Sequence, residues 1–304
     1  MSEQHSKMRY INGVEIEDTF AEAFGIWAAR VIITAVNLKW ARQAALSMTG
    51  FATSVIGCGC EAGLEMEIRR TPDGRPGVSV LVFARSKDLL ERQLIDRIGQ
   101  CVLTCPTTAC FNGLSSEEKV SVGSQLRFFG DGFQSSKIVD RNRYWRIPVM
   151  EGEFLVEEKF GVQRAVAGGN ILILGSDLPV TLRSAERAVK AMRRVPGVTL
   201  PFPGGIVRSG SKVGSRYKFL IASTNDAYCP TLRALVPSAL PEGVNAVMEI
   251  VIDGLEASAV ERAMRAGVVA ACIPGIRRIS AGNYGGHLGK FKFHLHSILE
   301  GVLL

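Results

Sequence analysis

Several features that point to familiar protein classes are missing from this sequence. The seven cysteines are odd in number and form no CxxC pair, which argues against a disulfide framework and predicts reduced thiols. No apolar run approaches the length needed to cross a bilayer, and the opening MSEQHSKMRY is polar rather than signal-like. We therefore expect a cytoplasmic protein without a membrane segment.

Local motifs of common enzyme classes are missing as well. There is no GxSxG elbow of a serine hydrolase. GGHLGK (285–290) has three residues where a Walker loop has four, and Phe291 follows it in place of Ser or Thr. GCGCEAG (57–63) fits GxGxxA, but Pro72 leaves little room for the helix that must receive a pyrophosphate. These segments are better explained as glycine-rich bends than as nucleotide sites.

The excess of basic residues does not indicate nucleic-acid binding. The formal net charge is +7, yet arginine and lysine are spread along the chain without a basic tail or an aromatic RNA-binding motif. In KFKFHLH, His294 and His296 would share a strand face with Lys290 and Lys292, and these cations disfavour a metal site. We expect an anionic small-molecule partner, no nucleic acid and no bound metal.

The first half of the chain has a strand and helix pattern typical of βαβ units. A strand at 29–36 precedes a helix at 37–49 that Asn37 caps, and a second strand is predicted at 51–56. After the turn TPDGRPG, the apolar strand 78–84 leads into a helix with one apolar face, formed by Leu90, Leu94, Ile98 and Val102.

The second half repeats this order. A strand at 167–175 precedes a helix that Ser176 caps, with Leu182, Ala185, Val189 and Met192 on one face. Strand 244–253 then precedes a helix with Val260, Met264, Gly267, Val268 and Ala271 on one apolar stripe, and strands follow near 277–280 and at 290–296. The pattern predicts an α+β fold of two ferredoxin-like (split βαβ) lobes from an internal duplication, with domains at 1–160 and 161–304.

One carboxylate lies in the middle of the predicted strand VNAVMEIVID. Strand alternation puts Glu249 at the centre of the face opposite Ala246, Met248, Ile250 and Ile252. A half-exposed strand that meets water at its centre explains this position equally well as a carboxyl group in a cleft, where desolvation raises its pKa.

Two loops have compositions suited to ligand binding. ASTNDAYCP (222–230) combines Asn225, Asp226, Tyr228 and Cys229, although a capped turn would also use them. PFPGGIVRSGSKVGS (201–215) mixes glycines with Arg208, Ser209 and Lys212, a composition able to hold an anion and equally typical of a flexible surface loop.

Long segments of the chain resemble one family closely and in order. The matching segments are NGVEIEDTFAEAF (12–24), TPDGRPGV (71–78), DRIGQCVLTCPT (96–107), FFGDGF (128–133), VAGGN (166–170), PFPGGIV (201–207), STNDAYCPT (223–231), MEIVIDGL (248–255) and ISAGNYGG (279–286). Together they resemble formylmethanofuran:tetrahydromethanopterin formyltransferase over nearly the whole chain.

The resemblance implies an acyltransferase of one-carbon metabolism. Such an enzyme moves a formyl group between methanofuran and N5 of tetrahydromethanopterin, in formaldehyde oxidation or methanogenesis, with both carriers as substrates and no permanently bound cofactor. It implies a cytoplasmic homotetramer, and in methylotrophic bacteria hydrolase partners within a formyltransferase/hydrolase complex. The family's acid residue falls on Glu249, while Asn225, Asp226, Tyr228, Cys229, Arg208, Ser209 and Lys212 are expected to bind substrate.

Two other functions stay open at this point. The chain could be a structural subunit of a formyltransferase/hydrolase complex, or a formyltransferase that uses another folate-like pterin. Small differences between pterin pockets contribute only a few kcal/mol, so the sequence leaves the choice of pterin open.

Overall fold

The computed structural model of the chain describes residues 9–302. Most of the polar opening segment and the last two residues of the tail lie outside this range. Strands in chain order are β1 (Arg9–Ile11), β2 (Val14–Ile16), β3 (Phe20–Thr34), β4 (Glu61–Ile68), β5 (Gly77–Ala84), β6 (Ala109–Asn112), β7 (Lys119–Ser121), β8 (Ser135–Val139), β9 (Asn142–Val149), β10 (Gly152–Glu157), β11 (Lys159–Gly175), β12 (Val198–Thr199), β13 (Lys212–Val213), β14 (Ala222–Ser223), β15 (Ala246–Gly254), β16 (Ile276–Ser280) and β17 (Phe291–His294). Helices are α1 (Leu38–Thr49), α2 (Val55–Cys58), α3 (Lys87–Arg97), α4 (Gly123–Leu126), α5 (Leu178–Met192), α6 (Ala257–Ala271) and α7 (Leu295–Ile298).

Two lobes share one strand order, which accounts for the repeated sequence pattern. In the first lobe β3, α1, β4, β5, α3 and β6 occur in this order, with α2 inserted before β4, and the sheet runs β4-β5-β3-β6. In the second lobe β11, α5, β12, β15, α6 and β16 occur in this order, with β13 and β14 inserted before β15, and the sheet runs β12-β15-β11-β16. Both orders are those of a split βαβ unit, so the predicted α+β fold with two ferredoxin-like lobes is confirmed.

The two lobes are joined through their long first strands. β3 and β11 pair antiparallel from Phe24 with Ala167 to Ala29 with Val162, which makes one continuous sheet. Each lobe has its own apolar core between its sheet and its helices. β1 and β2 pack into the core of the second lobe. Strand β11 runs without a break through the predicted domain boundary between residues 160 and 161. The domain ranges 1–160 and 161–304 stay a prediction.

Helices α5 and α6 lie against each other over the second sheet. A Cβ atom at Gly267 would lie 1.9 Å from Cε of Met192, so the absence of a side chain at Gly267 makes room for the Met192 side chain between the two helices. The predicted stripe on α6 is confirmed, because Val260, Met264, Val268 and Ala271 are buried with Gly267. On the predicted face of α5, Ala185, Val189 and Met192 are buried, while Leu182 is 39% exposed.

Two boundary predictions are wrong for local reasons. The segment 51–56 is not a strand, because Ser54 caps the short helix α2 and Gly59 ends it in the left-handed conformation with φ of 79°. The strand begins only at Glu61. The cap of α5 is Asp177 rather than Ser176, and its side chain accepts the N–H of Val180. The predicted cap of α1 is confirmed, since Asn37 accepts the N–H of Trp40.

The strand prediction at 290–296 is partly wrong. β17 ends at His294 and α7 begins at Leu295, so the two histidines do not alternate along one strand. His294 is exposed, whereas Nε2 of His296 lies 2.9 Å from the carbonyl oxygen of Ile16. Residues 9–302 contain no cluster of three His, Cys, Asp or Glu side chains suited to a metal ion. No helix in that range has the length and hydropathy to cross a membrane.

Candidate active site

Glu249 lies at the middle of β15 on the face that the alternation predicts. Ala246, Met248, Ile250 and Ile252 are buried on one face, and Val247, Glu249 and Val251 are half-buried on the other. The backbone of Glu249 is fixed on both sides. It pairs with Leu172 of β11, and on the other edge Val207 donates to its carbonyl oxygen at 2.7 Å and accepts its N–H at 2.9 Å.

A narrow pocket of about 40 Å³ opens beside Glu249. Both predicted ligand-binding loops contribute to its wall together with strand residues. The lining comprises Leu172, Val207, Arg208, Ser209, Gly210, Asn225, Tyr228, Cys229, Val247 and Glu249. A pocket of this volume suits a group of a few heavy atoms such as a formyl group, whereas a whole pterin would extend beyond it.

Burial makes the carboxyl group of Glu249 a weaker acid than an exposed glutamate. Desolvation raises its pKa to about 7, because the apolar neighbours Leu172 and Val247 replace water that would stabilise the charged form. Near neutral pH both the protonated and the ionised form of the group are therefore accessible. A carboxyl group in this state can donate a proton at one step of a reaction and accept one at another.

The loop 222–230 presents its side chains to this pocket through two short turns. Asp226–Tyr228 and Pro230–Leu232 are single 3₁₀ turns, with Cys229 between them. The Cys229 thiol donates to the carbonyl oxygen of Asn225 at 3.3 Å and lies 3.4 Å from Oγ1 of Thr224. Neither partner is a base that could take the thiol proton. Burial raises the pKa of Tyr228, so its hydroxyl stays protonated and able to donate.

Two predicted residues lie outside the pocket. Nζ of Lys212 lies 2.5 Å from Oδ2 of Asp226, and both side chains line a broader groove beside the pocket with Tyr217 and Leu235. The hydrogen bond from Lys212 lowers the pKa of Asp226, which favours the carboxylate form of Asp226. Their role in substrate binding stays a prediction, as it does for the residues that line the pocket.

Sequence reasoning missed Tyr284, whose pKa is affected by Glu249, and Glu22, which binds the loop that carries Tyr284. Tyr284 lies in the loop after β16, where burial and then the charge of Glu249 raise its pKa. Glu22 is 1% exposed and accepts N–H groups from that loop. The glycines of NYGGHLG are a visible signal for a tight loop, but no spacing rule connects that loop with a residue more than 260 positions earlier.

Comparison with known proteins assigns the chain to a family. The profile described as formylmethanofuran-tetrahydromethanopterin formyltransferase matches residues 9–149, and the profile described as FTR, proximal lobe, matches residues 152–298. The formylmethanofuran–tetrahydromethanopterin formyltransferase of Methylococcus capsulatus is 60% identical over 295 residues, covering 95% of this chain and 99% of the relative. A relative from Methylorubrum extorquens, named as one of the subunits of a formyltransferase/hydrolase complex, is 52% identical over 302 residues, covering 95% and 97%.

Solved structures agree with these sequence matches. The formylmethanofuran:tetrahydromethanopterin formyltransferase of Methanosarcina barkeri has a TM-score of 0.91 and 50% identity, covering 95% of this chain and all of that one. A chain of the formyltransferase/hydrolase complex of Methylorubrum extorquens, in complex with methylofuran, has a TM-score of 0.94 and 51% identity, covering 97% and 99%. The fold, the matched length and the identity together show that this chain belongs to the formylmethanofuran-tetrahydromethanopterin formyltransferase family.

Proposed function

We propose that this protein transfers a formyl group between the amine of methanofuran and N5 of tetrahydromethanopterin, with Glu249 as the proton carrier. The names of the relatives support the reaction. The observation that carries the role of Glu249 is its position in a pocket of formyl size with a pKa of about 7. The predicted substrate-binding side chains Arg208, Ser209, Asn225, Tyr228 and Cys229 surround the same pocket.

The reaction requires proton transfer and no covalent enzyme intermediate. The amine of one carrier attacks the formyl carbon, a new C–N bond forms, and the carbonyl electron pair moves onto oxygen. When that pair re-forms the C=O bond, the C–N bond to the first carrier breaks, and its amine must be protonated to leave. Glu249 accepts the proton released by the attacking amine and returns it to the departing one.

Binding of the large carriers depends on the surface around the pocket. The pocket takes the formyl group, and the rest of each carrier extends over the neighbouring surface, where Lys212 and Asp226 line the broader groove. The net charge of +7 favours carriers that bear carboxylate or phosphate groups. No permanently bound cofactor takes part in this mechanism, and both carriers are substrates.

The assembly that we propose is a cytoplasmic homotetramer, with hydrolase subunits as further partners. Segment 213–221 and the helical turn near Leu235 expose large apolar side chains: Tyr217 is 64% exposed, Phe219 80%, Ile221 70% and Leu235 76%. Such a group of apolar side chains is typical of a subunit contact. The relative from Methylorubrum extorquens is named as part of a complex, which supports hydrolase partners.

A two-substrate assay on the purified protein tests the function. We expect formyl transfer from formylmethanofuran to tetrahydromethanopterin, and slower transfer when tetrahydrofolate replaces the pterin. An inactive but correctly assembled protein would support the structural-subunit alternative. Faster transfer to tetrahydrofolate would support the alternative of another folate-like pterin.

A further inference from the structure

The buried carboxylate of Glu22 binds a loop from the other end of the chain. It accepts four backbone N–H groups: Tyr284 at 2.7 Å and Gly286 at 2.9 Å on Oε2, and Leu288 at 2.6 Å and Gly289 at 2.5 Å on Oε1. Burial would raise the pKa of Glu22, but these four donors outweigh it and lower the pKa to about 2. The group is therefore a permanent anion around which residues 284–289 are folded.

The same loop is fixed at its start by a residue next to the active site. Asn170 of β11 accepts the N–H of Gly282 at 2.6 Å and donates to its carbonyl oxygen at 3.3 Å. Asn170 lies two residues before Leu172, so both side chains are on one face of β11, the face that carries Glu249 through its pairing with Leu172. The loop thus leaves β16 along the active-site face of the sheet.

Strand register gives the distance between the loop and Glu249. Leu172 pairs with Glu249 on one side and with Ser280 on the other. Neighbouring strands are ~4.8 Å apart, so the loop begins about 10 Å from the Glu249 backbone. Four residues later the Tyr284 ring packs on Phe24, with 6.1 Å between ring centroids. Burial and, after it, the charge of Glu249 raise the pKa of Tyr284, so the hydroxyl lies within electrostatic range of that carboxyl group.

We propose that Tyr284 is a second hydrogen-bond donor of the formyl-transfer site and that Glu22 is the positioning residue that holds it there. This inference rests on the proposed function. The Tyr284 hydroxyl stabilises the oxygen that becomes negative in the tetrahedral intermediate, while Glu249 carries the proton between the amines. Burial raises the pKa of Tyr284, so the hydroxyl keeps its proton throughout the working range.

Four variants and two controls test the roles. Tyr284→Phe removes the hydroxyl and keeps the ring, and Glu22→Gln replaces one accepting oxygen by an amide nitrogen that faces two N–H donors. The double variant and Glu22→Asp complete the set. Tyr144→Phe and Glu157→Gln are matched controls in the first lobe, because burial also raises the pKa of Tyr144, and Glu157 is buried and accepts a backbone N–H from Asn112.

We expect kcat of Tyr284→Phe to fall about 100-fold with KM for both carriers within about threefold, the span for loss of one donor to the developing oxyanion. The kcat of Glu22→Gln should fall at least about tenfold, and the kcat of Glu22→Asp should fall less. Because Glu22 acts through Tyr284, the double variant should lose little more than Tyr284→Phe alone. The control variants should keep kcat within about threefold.

Hydrogen exchange tests the positioning role without activity. In Glu22→Gln the amides of Tyr284, Gly286, Leu288 and Gly289 should exchange faster, with no change in the first lobe. Each of three results would overturn the inference. These are unchanged exchange at these amides, a kcat of Tyr284→Phe within threefold of the parent, and a loss of kcat in the double variant equal to the product of the two single losses. A parent enzyme inactive with both carriers would instead refute the proposed function, and with it the role of Tyr284.

Discussion

A pair of buried carboxyl groups joins the two lobes, and replacing one of them by its amide should stabilise the protein at neutral and alkaline pH. Asp253 at the end of β15 is fully buried, and Oδ1 accepts the N–H of Gly168 at 3.0 Å. Oδ2 is buried with no other hydrogen-bond donor among the described residues and lies next to the carboxyl group of Glu61. Two carboxyl groups in this position must share a proton.

The sign of the pH dependence follows from the folded-state pKa values. Burial and the neighbouring Glu61 raise the pKa of Asp253 well above its ordinary value, and burial also raises the pKa of Glu61. The folded state therefore binds the shared proton more tightly than the unfolded chain does. The resulting stabilisation is complete below the unfolded pKa of about 4 and is lost as pH rises towards the folded pKa.

The number of shared protons, which is one, sets the size of the pH dependence of the free energy of unfolding. In the range between the two pKa values, the free energy of unfolding of the parent falls by up to ~1.4 kcal/mol per pH unit. Asp253→Asn keeps the oxygen that accepts from Gly168 and offers an amide N–H to Glu61. The free energy of unfolding of this variant should therefore not fall with pH in this way. Relative to the parent, the variant should therefore gain stability as pH rises above about 4, by up to ~1.4 kcal/mol per pH unit.

Denaturant unfolding of parent and variant at pH 5, 6, 7 and 8 measures this difference. Glu61→Gln, which supplies the amide from the other side, should shift stability in the same direction. Either variant being less stable than the parent at pH 8, or the difference between variant and parent being the same at every pH, would refute the shared proton.

Two further predictions concern the surface. Replacing Phe219 and Ile221 together by Ser should lower the apparent mass in light scattering, because it removes apolar area from the proposed subunit contact; an unchanged mass would exclude this segment from the contact. Raising ionic strength from about 0.01 to about 0.1 M shortens the Debye length from about 30 to about 10 Å, and kcat/KM for anionic carriers should fall more than kcat does. A flat kcat/KM would mean that the net charge of +7 does not guide substrate.

Local patterns in the sequence predicted the scaffold because they follow from backbone geometry. The alternation around Glu249 and the stripe on α6 depend only on strand and helix periods, and both are present in the structure. The errors arose where two local signals compete. Ser54 starts a turn of helix inside a segment of strand-forming residues, and Asp177 caps more effectively than the neighbouring Ser176 because its oxygen reaches the N–H of Val180.

The candidate site was only partly predictable, because most of its contacts join distant parts of the chain. Arg208 and Tyr228 were visible as members of loops with binding chemistry, but only folding brings both loops to Glu249. Nothing in the sequence connects Glu22 with Tyr284, or Asp253 with Glu61, since each pair is separated by more than 190 residues. Such pairs are set by strand order and register rather than by local pattern.

The central claim is that the Glu249 carboxyl group carries the proton during formyl transfer, and the turnover of Glu249→Gln tests it most directly. Gln keeps the shape and a hydrogen-bond donor but cannot exchange a proton, so we expect kcat to fall about 100-fold or more with folding and assembly intact. Asp253→Asn, the same change four residues along β15, is the matched control and should keep kcat within about threefold. Near-parental turnover of Glu249→Gln in an intact assembly would contradict the claim.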